Sequence, residues 1–168
     1  MVLKKVLRSL SPQRRSKSPV RESSPRRNDS RSSESAEDAP PKPSLMIRLG
    51  GRDVLHKIVD NFIERIVTNE KLMFFFEGVD QRALNMHQKR FLSMAFTKLP
   101  NGIEATIKAN HQTMFANGLN ASHFDVFVED LVKSMSHFGV DNDLISEAVS
   151  VIAPLRPIFE EGAKNAAA

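Results

Sequence analysis

The residues of this 168-residue chain that could do chemistry are concentrated in Leu84-Asn85-Met86-His87-Gln88-Lys89-Arg90-Phe91-Leu92 and, further on, at His111. Each histidine has Leu, Phe, Ile or Met at helical spacing around it rather than carboxylates. One imidazole on an apolar helix face is ordinarily a core residue with a satisfied hydrogen bond. Two of them, on separate helices, suit a large apolar cofactor gripped from both sides. A zinc or di-iron site wants three or four ligands at close spacing, such as Glu-x-x-His, and these faces supply none. Haem needs one axial imidazole and an apolar slot, and these residues offer both.

The other three histidines read as structural or solvated. His56 falls beside the apolar stripe of its helix, His123 sits at a helix start, and His137 precedes the Phe138-Gly139 helix end, where a cation is favoured by the helix dipole. With no cysteine, disulfides, thiolate zinc sites and thiol nucleophiles are excluded. No Ser/His/Asp or paired-carboxylate motif appears. Gly50-Gly51 follows a helix rather than a strand, so it is not a phosphate loop.

These side chains must be held by helices, because from Ser44 onward the apolar period is three to four residues and the fold class is all-α. A short helix near Leu45 to Leu49 stops at Gly50-Gly51. Arg52 to Asn69 carries one broad stripe through Val54, Leu55, Ile58, Val59, Phe62, Ile63, Ile66 and Val67. Leu72 to Phe76 reads as a turn that folds aromatic rings inward, and Asp80 as the N-cap of a helix over about Gln81 to Phe96. Further helices are expected over Ile103 to Phe115, from Ser122 to Phe138, and from Asp143 to about Glu161 with a kink or break at Pro154.

Ahead of this lies a segment of another kind. Residues 1–43 hold ten serines and six prolines, whereas all eleven phenylalanines lie from Phe62 onward. That segment carries 11 Lys and Arg against 5 Asp and Glu, while residues 44–168 carry 13 against 15, so the high pI belongs to the tail. The near-neutral remainder has no electrostatic footprint for nucleic acid. Disorder is the expected state of the tail, since it cannot bury enough apolar surface to offset its ordering entropy. Its Ser-Pro steps at Ser11, Ser18 and Ser24 fit phosphorylation, each phosphate adding about −1.5 to −2 charge. Val2, Leu3, Val6, Leu7 and Leu10 fall at helical spacing among Lys4, Lys5 and Arg8, a pattern open to organelle import or to a surface-binding helix. No apolar run is long enough to span a bilayer, and no signal-peptide core follows Met1, so the expected location is the cytoplasm. The expected division is a tail over 1–43, a domain over 44–161 and a short extension over 162–168.

Taken in order, Ser44-Leu45…Arg48-Leu49-Gly50-Gly51, Phe75-Phe76…Gly78-Val79-Asp80, His87-Gln88-Lys89-Arg90-Phe91-Leu92, His111, Gly118-Leu119…His123-Phe124-Asp125 and Ala153-Pro154-Leu155 resemble the group I truncated haemoglobins. The resemblance runs from Ser44 to roughly Glu161. It implies a globin-like two-over-two helical sandwich around haem b (iron protoporphyrin IX), with His111 as proximal iron ligand and Phe76, beside Phe75, stacked on the ring. Leu84, His87 and Gln88 take the distal positions, His87 as a sixth ligand in some relatives. Phe62, Ile63, Phe91, Met114 and Phe115 complete the expected haem-contacting set.

Two departures stand out. Ile63 occupies the place of the family's distal tyrosine, and the chain has no tyrosine at all. Thr97-Lys98 replaces the glycine pair usual after the distal helix. The resemblance implies a diatomic gas ligand (oxygen, nitric oxide or carbon monoxide) stabilised by Gln88 or His87, and leaves nitric oxide turnover with a reductase open. A different class also stays open: a globin-shaped interaction or sensor module with weakened or lost haem binding, its contacts made by the tail.

Overall fold

The computed structural model describes residues 41–168, and every regular element among them is helical. The readings made of residues 1–40, including the Ser-Pro steps and the N-terminal amphipathic pattern, lie outside the described residues. No helix described is long and apolar enough to cross a membrane.

Helix α1 (Leu45–Arg48) ends at Gly50 and Gly51, whose φ values of 101° and 84° any residue with a Cβ resists. The chain thereby reverses into α2 (Arg52–Thr68), which buries Leu55, Ile58, Val59, Phe62, Ile63 and Ile66, one side of the expected stripe. A single 3-10 turn, Met73–Phe76, then leads to α3 (Gln81–Ala95). Asp80 caps α3 as its type predicts, its carboxylate accepting from Arg82 N–H at 2.8 Å and Ala83 N–H at 3.3 Å. Thr97 Oγ1 donates to Ser93 O at 2.8 Å and closes the end of α3 with a side chain.

Helix α4 (Ile103–Ala116) and α5 (Ala121–His137) follow, the first opened by Gly102 in the left-handed region. The last helical stretch is divided at Pro154 into α6 (Asn142–Ile152), a 3-10 turn (Ala153–Leu155) and α7 (Arg156–Ala166). Pro157 is tolerated because it stands in the first turn of α7, where an N–H has no intrahelical partner. Helix α7 runs on to Ala166, past the Glu161 limit that the sequence pattern suggests, and Gly162 within it is buried.

Helix α2 packs on α3 and α5, and α7 packs on α4 and α5, so α5 joins the two groups around a shared core. At the crossing of α2 and α5, Phe62 is fully buried with its ring edge-on to Phe127 at 4.8 Å. Burying such a ring contributes about 1.5–3 kcal/mol, with roughly 0.5–1.5 more from the edge-to-face geometry. Buried Asp130 on α5 accepts from Asn69 Nδ2 at 2.6 Å and pairs with Lys133 at 2.9 Å, tying the end of α2 to α5. Arg48 pairs with Glu147, joining α1 to α6.

Candidate functional site

Between α3 and α4 the helices do not touch closely, and a cavity of about 540 Å³ opens there, within the usual range for a ligand pocket. Leu84, His87, Gln88 and Phe91 form its α3 wall, together with Arg90 and Met94. His111 and Met114 stand on the α4 wall with Ile103, Thr106, Ile107 and Asn110. Phe75 and Phe76 before α3, Phe124 and Phe127 of α5, and Leu155 and Phe159 near the C-terminus complete the lining.

The two histidines differ in their surroundings. His111 is half-buried, and its Nδ1 lies 2.8 Å from Ile107 O. A carbonyl oxygen only accepts, so Nδ1 carries the proton and Nε2 keeps the lone pair, free of the backbone. Burial lowers its pKa below the ordinary value of 6.5, opposed by the Ile107 bond and reinforced by His87. The ring is thus held neutral and in the tautomer a metal ligand needs. Phe159 meets it edge-on at 5.4 Å. His87 is exposed and borders the cavity from α3.

Beside it, Gln88 Oε1 is buried with no hydrogen-bond partner. Leaving a buried polar atom unpaired costs about 1–3 kcal/mol, so the Gln88 carbonyl oxygen stands as an unpaired acceptor beside a largely apolar space. Among the described residues no group of three or more His, Asp or Glu side chains could hold a bare metal ion. The neutral imidazole of His111 on the wall of a largely apolar cavity, with the unpaired Gln88 oxygen beside it, instead fits a haem.

Eight of the expected residues (Phe75, Phe76, Leu84, His87, Gln88, Phe91, His111 and Met114) are brought together on this cavity. Phe62, Ile63 and Phe115 are not on its walls. Phe62 packs edge-on to Phe127 of α5, Ile63 is buried in the core, and Phe115 packs into the contact of α4 with α7. Ile63, an aliphatic side chain off the cavity wall, offers it no polar group.

His123, which reads from sequence as structural or solvated, has two roles. Its Nδ1 accepts from Asn120 N–H at 3.2 Å, completing the cap of α5, and its ring lines the cavity edge-on to Phe75 at 4.9 Å. Its place three residues after Asn120, a capping-box spacing, was the signal for the first role. The second depends on which way the α4–α5 turn faces. His56 lies half-buried beside Arg52 and Lys89 in a separate cleft, and His137 is exposed against Phe138.

No family model matches the chain. Among curated proteins, the group 1 truncated haemoglobin GlbN of Synechocystis sp. is 35% identical over 109 residues, 64% of this chain and 88% of that protein. The GlbN of Mycolicibacterium paratuberculosis is 30% identical over 119 residues, 71% and 85% of the two chains. Among solved structures, Chlamydomonas reinhardtii THB4 superposes with a TM-score of 0.62 at 35% identity, covering 70% of this chain and 94% of its own. The 2/2 haemoglobin of Synechococcus sp. gives 0.63 at 30% identity over 70% and 98%. With this identity spread over nearly the whole length of its relatives, the chain belongs to the group 1 truncated haemoglobins.

Proposed function

We propose that the chain holds haem b between α3 and α4 through His111 and binds a diatomic gas on the α3 side. The observation that carries this reading is His111 itself, fixed by Ile107 O in the neutral, Nε2-available form on the wall of an apolar cavity. The Synechococcus relative is described in a cyanomet state with covalently attached haem, which supports a haem role for the fold. Bound here, haem would supply an iron with an open position for oxygen, nitric oxide or carbon monoxide.

The residues of the chain divide the remaining work. His111 would hold the iron, and Phe76 and Phe75 would present apolar area to the porphyrin. Gln88 would donate its amide N–H to a gas ligand carrying partial negative charge, a bond worth about 1 kcal/mol. The missing tyrosine hydroxyl removes a further donor, and about 1.4 kcal/mol is tenfold in affinity. His87, bordering the cavity from α3, would compete for the open position, lowering apparent affinity by the fraction of competent protein.

Absorption spectra of the purified protein test this reading. A Soret band that shifts with carbon monoxide is expected, absent or much weakened in His111→Ala while circular dichroism still reports helices. His87→Leu should lose the six-coordinate signature at rest and take up ligand faster. A His111→Ala protein with the wild-type spectrum would overturn the ligand assignment, and an unchanged His87→Leu would leave His87 as wall alone.

A further inference from the structure

Helix α4, which carries His111, leans chiefly on α7, because its inner face looks into the cavity. The contact is built around a glycine. Gly162 is buried in the second half of α7, and a Cβ added there would stand 2.5 Å from Cε2 and Cζ of Phe115 and 2.7 Å from Cδ2. Glycine inside a helix is unfavourable relative to alanine, so among Glu160, Glu161, Ala163 and Lys164 its presence answers to packing rather than to helix formation.

Phe115 lies one helical turn beyond His111, the two rings 6.2 Å apart and tilted by 39°. Phe159, one turn before Gly162, is edge-on to both, 5.8 Å from Phe115 and 5.4 Å from His111. A single close approach thus sets two rings, and those rings bear on the imidazole.

We infer that Gly162 is a positioning residue for His111: its missing Cβ lets α7 close on Phe115, and Phe115 with Phe159 fixes where the imidazole stands. The inference rests on the reading of His111 as the cofactor's ligand. A second tie between the helices, Lys108 to Glu161 at 2.6 Å, is exposed and contributes little, which makes it a control for charge against packing.

Haem transfer from the loaded protein to an excess of a haem-scavenging apoglobin, and amide exchange across α4 in the haem-free protein, test the device together. Gly162→Ala should lose haem about tenfold faster or more and exchange α4 amides faster, since an added methylene in a packed contact forces neighbours to move. Lys108→Gln should stay within about twofold of wild type. Gly162→Ala with Phe115→Leu, which removes the ring edge the new methyl meets, should recover most of the loss. Wild-type behaviour of Gly162→Ala in both measurements overturns the inference, as does a double variant no better than the single one. If the wild-type chain takes up no haem, the cofactor reading fails, and exchange across α4 still decides the role of Gly162.

Discussion

At His111 one hydrogen bond does two things: it selects the tautomer, and it holds the ring where burial keeps it uncharged. Unfolded, the imidazole takes up a proton near 6.5, whereas folded it does so only at lower pH. Below 6.5 the unfolded chain therefore binds more protons, so the stability this residue contributes is intact above that pH and lost as the pH falls beneath it. Urea midpoints of the haem-free protein at about pH 7 and about pH 5 should show wild type losing more stability than His111→Gln. Equal losses in the two proteins would mean that the ring protonates as freely in the fold as outside it. The same residue shows what the sequence exposes. Its identity and apolar neighbours are visible at three- and four-residue spacing, but its bond to Ile107 O and the approach of Phe159 from α7 are set by packing that spacing does not contain.

Helix ends obey local chemistry, which is why most of them are legible. Asp80 accepts two N–H bonds at the head of α3, so Asp80→Ala should lower unfolding stability by about 1 kcal/mol, read as a shifted denaturation midpoint with unchanged slope. A change within about 0.3 kcal/mol would show that water replaces the cap without loss. The stripe of α2 is equally plain, since its buried residues recur with helical period. The period does not say which neighbour a buried residue meets. Phe62, Ile63 and Phe115 carry the apolar character of a pocket wall and are used one layer behind it, while Thr106 and Asn110, polar and exposed, border the cavity because α4 stands away from α3. Helix α4 faces a cavity and so has no protein surface opposite most of its inner side, and Gly162, buried against Phe115 on its other side, reads from sequence as an ordinary helix end.

Across the molecule, charge and burial divide at different places from activity. The buried apolar residues of the described structure run from Leu45 to Phe159 and form one cluster, and all of the cavity wall lies within that span. Residues 1–40 contribute 10 Lys and Arg against 5 Asp and Glu, and their removal would take the net charge from +4 to −1. A chain beginning at Pro41 keeps the bond that Arg48 Nε donates to Pro43 O. It should therefore melt within about 2 °C of the longer chain and take up haem equally well, because the core of the described residues begins at Leu45 and is complete without the removed residues, which is expected to leave the change well under about 1 kcal/mol. Its binding to a cation exchanger near neutral pH should disappear, since a net positive charge no longer remains to be attracted. A fall in melting temperature of more than about 5 °C, equivalent to more than 1 kcal/mol in a domain of this size, would show that residues before Pro41 cover part of the core. The tail would then belong to the fold and not only to its charge.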